Sequence, residues 1–375
     1  MTSARKLHQI EGRFAMEHGG SLLNPVIAYE TWGELNYQKD NAILLFTGLS
    51  PSAHAASSNL DRSTGWWEQM LGPRRPIDTT KYFVICVNSL GSCFGSTGPA
   101  SIDPETGEKY RTNFPVLTIE DIATAGQQVV EALGIRTLHA VAGASMGGMT
   151  SVAHSILFPE VAHGLVSISA AARALPYSIA LRSLQREIIR GDPEWQNGQY
   201  TSAHGPVKGM RMARKLGMMT YRSPREFEHR FGRERVPEEH QVGDAFGIDF
   251  EVEAYLEAHA NKFIGTFDAN CYLYLSRAMD LFDVADYGGS LEYGLARVGA
   301  KRALVIGVET DLLFPLAQQE ELARGLDQNG RSVDFRSLPS LQGHDAFLVD
   351  MDRFRPVLCD FFNCTMNQPG MLKTA

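Results

Sequence analysis

The sequence has no apolar stretch that approaches the length of a membrane span, so a transmembrane helix is not expected. It has no surplus of positive charge. Lys and Arg number 35 against 43 Asp and Glu, and the net charge is -8. The broad basic footprint that non-specific nucleic-acid binding needs is therefore missing, although a local basic pocket for an acidic substrate is not excluded. Cysteines are few and odd in number: Cys86, Cys93, Cys271, Cys359 and Cys364, with no C-x-x-C pair. That pattern argues against a disulfide framework and for free thiols in a reducing cytoplasm. None of the 11 histidines stands in an H-E-x-x-H or finger pattern, so no metal is expected. The opening residues, MTSARKLHQIEGRF, lack the apolar core of a secretory signal, and a cytoplasmic location is expected. Internal repeats and low-complexity tracts are absent as well.

What remains is an α/β pattern across 375 residues, long enough for one large unit with an insertion. VIAYETWG (26–33) alternates, while AILLFTGL (42–49) and YFVICVNSL (82–90) are nearly continuous apolar runs, as strands buried on both faces are. TIEDIATAGQQVVEALGI (118–135) has helical spacing, with Thr118 as N-cap, Glu120 and Asp121 in the first turn and Gly134 at the stop. LHAVAGA (138–144), MGGMTSVAHSIL and HGLVSISA (163–170) continue the alternation, which predicts a mostly parallel sheet with right-handed crossovers. From 172 to 295 the rhythm breaks into charged, helix-like stretches, read as a helical lid insertion. The core is thus 1–171 and 296–375, resuming with RALVIGVETD, a helix at 316–326, SVDFRSLPS and a last helix near 352–362.

Gly143-Ala144-Ser145-Met146-Gly147 fits G-x-S-x-G where a buried strand becomes a helix, the context of a nucleophile elbow and so of an α/β-hydrolase fold. A turn that sharp needs small residues two before and two after the serine. It presents Oγ at the carboxyl end of the sheet, where such folds bind ligands. A phosphate cradle fits less well, because neither G-x-x-x-x-G-K-[ST] nor G-x-G-x-x-G is present; GSCFGSTG (91–98) lacks the lysine and reads as tight turns.

A nucleophilic serine needs a base and a group that orients the base. The chain order Ser, acid, His of this fold is met by Ser145, Asp311 at a strand end and His344 in the loop beyond the last strand. Asp345 and Asp350 are rival acids, the former adjoining the histidine too closely to orient it. The amide of Met146, at a helix start, is one oxyanion donor; the amide of Leu49 is the candidate for the second, with Gly48 as alternative. His54 precedes the nucleophile and has no evident acid partner, which disfavours it as a base.

GWWEQMLGPRRPIDTTKYFVICVNSLGSCFGSTGPASIDPETG, GASMGGM and GHDAFL together resemble the homoserine/serine O-acyltransferase family of the α/β-hydrolase superfamily, from about residue 15 to 362. The resemblance implies acyl transfer from an acyl-CoA to an amino-acid hydroxyl through an acyl-serine. It implies no metal or prosthetic group, and a homodimer. It maps the triad onto Ser145, Asp311 and His344, and acceptor binding onto Arg214 and Asp345. An arginine fork suits the acceptor's carboxylate, and an aspartate its ammonium. Departures in Leu49–Ser58 and at Gly91-Ser92-Cys93 look like the serine O-succinyltransferase branch. They make Ser52, Ala53, His54 and Ala55 candidates for acceptor specificity, a discrimination on the order of 1–3 kcal/mol per methylene. A succinyl donor carries a second carboxylate; Arg182 and Arg186, one helical turn apart, are candidates for it. Succinyl transfer from succinyl-CoA to L-serine is the expected reaction. Homoserine acetylation or succinylation, and an esterase or thioesterase, are the alternatives.

Overall fold

Ala42–Phe46 is buried at every position because both of its faces are covered, and its side chains sort by parity. Leu44 and Phe46 enter one apolar cluster and Ile43 and Leu45 the other, the two-residue period of a strand. The computed structural model describes residues 4–201, 205–237 and 245–363. Strands β1 (Lys6–Gln9), β2 (Arg13–Ala15), β3 (Ser21–Leu23), β4 (Val26–Trp32) and β5 (Ala42–Phe46) come first. After β6 (Leu71–Gly72) and β7 (Ile77–Asp78), β8 (Phe83–Val87) leads to α1 (Ile119–Ala132), β9 (Leu138–Ala144), α2 (Met146–Leu157) and β10 (Ala162–Ile168). Helices α3 (Pro176–Arg190), α4 (Val207–Tyr221), α5 (Pro224–Phe231), α6 (Glu251–Phe263), α7 (Ala269–Leu281) and α8 (Leu291–Ala296) follow. The chain closes with β11 (Arg302–Val308), α9 (Leu316–Gln328), β12 (Ser332–Leu338), α10 (Ala346–Val349) and α11 (Met351–Phe362).

The main sheet runs β1-β4-β8-β5-β9-β10-β11-β12. β4 is antiparallel to both neighbours, and from β8 onward every pairing is parallel. The expected mostly parallel sheet is the one observed. Its register sets Ala144 beside Ile168 and Val308 beside Leu338, so the exits of β9, β11 and β12 share one edge. One face is covered by α1 and α2 and the other by α11, whose Phe354, Leu358 and Phe362 are fully buried.

Thr118 caps α1 in a reciprocal box with Asp121: Thr118 Oγ1 accepts from the Asp121 amide, and Asp121 Oδ2 accepts from the Thr118 amide. Between β10 and β11 the described residues form helices and two isolated bridges, Arg173 with Asp283 and Arg235 with Phe250, but no strand. α7 packs on α1 and α8 on α9, so the end of this segment joins the layer beside the sheet. Cys86, Cys93 and Cys271 are free thiols. Cys359 is disulfide-bonded, which departs from the expectation of free thiols throughout.

Candidate active site

Ser145 occupies the single residue between β9 and α2 with φ 56° and ψ -124°, a backbone shape that side chains other than hydrogen rarely accept. The surroundings hold it there. A Cβ on Gly143 would fall 2.2 Å from the Gly147 carbonyl oxygen, and one on Gly147 would fall 2.3 Å from that of Phe46. Only glycine lets strand and helix close to this distance, as the G-x-S-x-G reading requires. The Ser145 amide donates to the Ile168 carbonyl at 2.9 Å, tying the turn to β10.

His344 Nε2 lies 2.8 Å from Ser145 Oγ, and His344 Nδ1 lies 2.8 Å from Asp311 Oδ2. The other carboxylate oxygen of Asp311 accepts from the amides of Leu313 and Phe314, both at 2.9 Å. A carboxylate held this way only accepts, so Nδ1 carries the ring proton and Nε2 is left to take the one on Ser145. Asp311 and His344 are 4% and 3% exposed. Burial pulls the His344 pKa down, but the charge of Asp311 and the hydrogen bond to it outweigh that, and the net shift is upward. Phe314 at 5.3 Å and Phe347 at 5.7 Å confine the ring. Asp350 is turned elsewhere: it accepts from Ser340 Oγ at 2.6 Å.

A cavity of about 120 Å³ opens over Ser145, walled by Gly48, Leu49, Ser50, Pro51, Trp66, Arg214, Tyr221, Met279, Leu313, His344, Asp345, Phe347 and Leu348. Leu49 thus stands beside the nucleophile. Met146 is the first residue of α2, where an amide has no intrahelical acceptor. Arg214 projects from α4 between two rings, 4.8 Å from that of Phe263 and 5.4 Å from that of Tyr221, and its Nε is buried without a partner. Across the cavity, burial raises the Asp345 pKa, with Arg222, His344 and Arg214 pulling it back. Asp345 Oδ2 lies 3.6 Å from Arg222 Nε.

Four residues expected near the acceptor stand outside this wall. The lining comes from 48–51, whereas Ser52, Ala53, His54 and Ala55 lie behind it. Ser52 reaches the site only through its carbonyl, which accepts from the indole of the lining residue Trp66 at 3.1 Å. Ala53 and Ala55 are buried. His54 does have an acid partner, contrary to expectation: Glu30 Oε2 is 2.8 Å from its Nδ1. The two arginines of α3 also lie outside the wall. Arg182 Nε donates to Asp280 Oδ1 at 2.6 Å, its guanidinium sits 5.9 Å from the Phe314 ring, and its Nη1 and Nη2 are buried without hydrogen-bond partners. Arg186 is engaged by Asp280 Oδ2 at 2.6 Å and Ser276 Oγ at 2.9 Å, and borders an outer groove with Arg190 and Arg277. Sequence reading missed the apolar walls Trp66, Met279, Leu313, Phe347 and Leu348; an apolar residue carries no mark that tells cavity wall from core. Among the described residues no cluster of three or more His, Cys, Asp or Glu is placed to hold a metal, and no helix is long and apolar enough to cross a membrane.

A family model described as alpha/beta hydrolase fold matches residues 41–350. A serine O-succinyltransferase of Litchfieldella anticariensis is 56% identical over 362 residues, spanning 96% of this chain and 99% of that protein. One from Xylella fastidiosa is 54% identical, spanning 95% and 96%. Among solved structures, a homoserine O-acetyltransferase from Bacillus anthracis superposes with a TM-score of 0.88 at 28% identity, covering 96% of this chain and 97% of its own. Esterase E22 superposes with 0.86 at 28% identity, covering 96% and 99%.

Proposed function

The chain belongs to the alpha/beta hydrolase fold family, and on that premise we propose that it is a serine O-succinyltransferase, moving the succinyl group of succinyl-CoA to the side-chain hydroxyl of L-serine. The observation that carries the reading is the continuous relay Asp311–His344–Ser145 opening on a cavity whose walls also hold Arg214 and Asp345. A hydrolase needs only the relay. A free amino acid as acceptor needs in addition a cation for its carboxylate and an anion for its ammonium. The choice of serine and succinate is supported by the relatives that share more than half of their residues with this chain over nearly all of its length.

In the first half-reaction Ser145 Oγ attacks the thioester carbonyl carbon while His344 Nε2 takes the hydroxyl proton. The amides of Leu49 and Met146 stabilise the resulting oxyanion, the stabilisation that is commonly worth about 2.7–4 kcal/mol per donor. The C–S bond breaks, and the departing CoA sulfur takes the proton from His344. In the second half the acceptor hydroxyl gives its proton to His344 and attacks the acyl carbon. Ser145 Oγ leaves and is reprotonated, releasing O-succinylserine. Arg214 and Asp345 hold the acceptor by its two charges. The two orphan nitrogens of Arg182 suit the far carboxylate of the donor, while Arg186, engaged by Asp280 and Ser276, supports Arg182 from behind. Acyl-CoA is the co-substrate, and the scheme calls for no further cofactor. The product feeds cysteine biosynthesis.

The enzyme acts as a cytoplasmic homodimer in this proposal. Tyr177 and Leu184 on α3, and Met212 and Met219 on α4, are exposed and stand seven residues apart on each helix, so each of these two adjoining helices carries exposed apolar residues on one side, the surface the dimer would bury.

Crossing succinyl-CoA and acetyl-CoA with serine, homoserine and no acceptor tests the reading. Succinyl-CoA with serine is expected to give the fastest CoA release and an O-succinylated product. Acetyl transfer to homoserine would select the homoserine branch, the activity named for the Bacillus anthracis structure. CoA release indifferent to any acceptor would make the protein a hydrolase, as esterase E22 is named.

A further inference from the structure

His54 is buried, and both of its ring nitrogens face acceptors. Nδ1 lies 2.8 Å from the Glu30 carboxylate on β4, and Nε2 lies 2.9 Å from the Ser63 backbone carbonyl. The Ser63 hydroxyl also lies 3.1 Å from Nε2, but it donates its hydrogen to Asp61 Oδ1 at 2.7 Å and so meets the ring as an acceptor. With a carboxylate on one side and only acceptors on the other, satisfying both nitrogens requires a proton on each, an imidazolium. Asp61 Oδ2 at 3.9 Å adds a second negative charge from the same loop as Ser63. The charged groups that act on the ring are Glu30 on β4 and Asp61 in the loop, both negative, with the Ser63 carbonyl as the third partner. Burial lowers the tendency of His54 to hold its proton, but the bonds to Glu30 and Ser63 and the two charges outweigh it, and the net shift is upward.

The ring joins three pieces of chain: the segment that carries His54, the turn at Asp61–Ser63 and β4, whose Trp32 indole also donates to the Ala56 carbonyl at 3.1 Å. Around it, the amides of Trp66 and Trp67 donate to the carbonyls of His54 and Ala55 at 3.2 and 2.8 Å, and Glu68 accepts from the Ser57 and Gly65 amides. A Cβ on Gly65 would strike the Ala55 backbone at 2.2 Å, so the two arms of this loop are in direct contact. The loop supplies Trp66 to the cavity wall, and its first arm continues directly from Gly48-Leu49-Ser50-Pro51.

We propose that His54 is a positioning residue: as an imidazolium gripped between Glu30 and the Ser63 carbonyl, it fixes residues 48–66 against β4 and so sets the Leu49 amide and the Trp66 wall over Ser145. The inference rests on the assignment of Ser145 and Leu49 made above. Its pH dependence has a definite sign. A histidine whose folded pKa is raised stabilises the fold fully at low pH, and the contribution is lost as pH rises through that folded pKa. The clamp therefore fails on the alkaline side, whereas the relay through His344 fails on the acid side.

The test has two readouts on the full chain. The first is the protonation of the His54 ring, followed by nitrogen-15 histidine NMR from about pH 6 to pH 9 in the wild type, in Glu30→Gln and in His54→Gln, the last supplying the assignment. The second is the rate at which a fluorophosphonate labels Ser145, which needs the triad and the oxyanion amides but no natural substrate. The expected results are a ring protonated on both nitrogens at neutral pH, a lower titration midpoint in Glu30→Gln, and labelling slowed about ten-fold or more in both variants, since small misplacements of a reacting geometry cost that much. The alkaline fall of the wild-type labelling rate should vanish in His54→Gln, a change that a merely structural role would not produce. A ring that is neutral across the neutral range, or folded variants labelled within two-fold of the wild type, overturns the proposal. If neither variant folds, His54→Asn supplies the assignment in its place, and wild-type ring protonation and the alkaline fall of its labelling rate decide. A wild type that the probe does not label at all refutes the role of Ser145, and the NMR readout still judges the clamp.

Discussion

His344 Nε2 and Ser145 Oγ stand 2.8 Å apart although 199 positions separate the two residues in the chain. The distance is a product of sheet register: β9 and β11 flank β10, and β12 lies beside β11, so loops leaving their carboxyl ends converge. Replacing Ser145 by Ala removes the only atom in this arrangement that can form the acyl bond. Intact-mass measurement after mixing with succinyl-CoA should show the succinyl adduct on the wild type and none on Ser145→Ala. The CoA-release rate should fall by about 10⁴-fold or more, as it does where a nucleophile of a triad is lost. An adduct of normal stoichiometry on the variant would contradict the scheme.

The relay also fixes the acid limb of the pH profile. His344 must be neutral to act as base, and its pKa is raised because the charge of Asp311 outweighs burial. Acylation should accordingly rise with pH through a midpoint above the ordinary imidazole value of about 6.5. In Asp311→Asn the midpoint should move down and the rate should fall by about 10⁴-fold, since an amide can favour the wrong tautomer. Burst-phase CoA release against pH checks both. A midpoint unmoved by the substitution would disconnect Asp311 from His344.

Gly147→Ala should fold poorly for a reason independent of catalysis. Its Cβ would meet the Phe46 carbonyl oxygen at 2.3 Å and the Thr47 carbonyl oxygen at 2.9 Å, both backbone atoms of the neighbouring strand exit. Overpacking of this kind costs about 1–3 kcal/mol or more. Gly48→Ala is the control, because its Cβ meets nothing closer than 3.8 Å. Thermal unfolding should show a drop of several degrees for the first and a change within about a degree for the second.

The elements that were legible in the sequence share a physical trait: one dominant environment along their length. β5 and β9 are buried on both faces and read as apolar runs, and α1 carries its cap, acidic first turn and stop in order. β1 is an edge strand, Lys6 to Gln9, with its one apolar residue, Leu7, exposed beside Lys6, and has no alternation to read. Within the helical stretch expected over 172–295, α7 carries no mark of its own bounds, because most of ANCYLYLSRAMDL is buried, which erases the polar face by which a helix is recognised. The same logic divides the site. The triad could be found because a strained turn and two strand ends impose residue types at fixed places. Glu30 with His54, and Asp280 with Arg182, could not be paired, since each joins elements through space 24 and 98 positions apart.

The exposed apolar residues Tyr177, Leu184, Met212 and Met219 are where the proposed second copy should bind. Leu184→Glu puts a charge at the middle of α3's outer side, distant in sequence from every residue of the relay. Desolvating an unpaired carboxylate costs several kcal/mol, so at one concentration sedimentation is expected to show a dimer for the wild type and a monomer for the variant, with circular dichroism unchanged. A variant that stays dimeric would move the interface elsewhere on the surface.

Arg214→Lys separates the two half-reactions. The guanidinium lies 5.4 Å from the Tyr221 ring and 4.8 Å from the Phe263 ring, and Arg214 lines the cavity. Lysine keeps the charge but loses both the planar fork and the stacking that orients it. A hydrogen bond to a charged group is worth about 1.5–3 kcal/mol, so kcat/KM for serine should fall about 10- to 100-fold, chiefly through KM. The succinyl-CoA burst without acceptor should change by less than about two-fold, because no amino acid is present for Arg214 to hold. Stopped-flow CoA release in the two regimes makes the comparison. Equal losses in both would mean that Arg214 serves the donor or the fold instead of the acceptor, and the carboxylate of serine would then need another partner on the cavity wall.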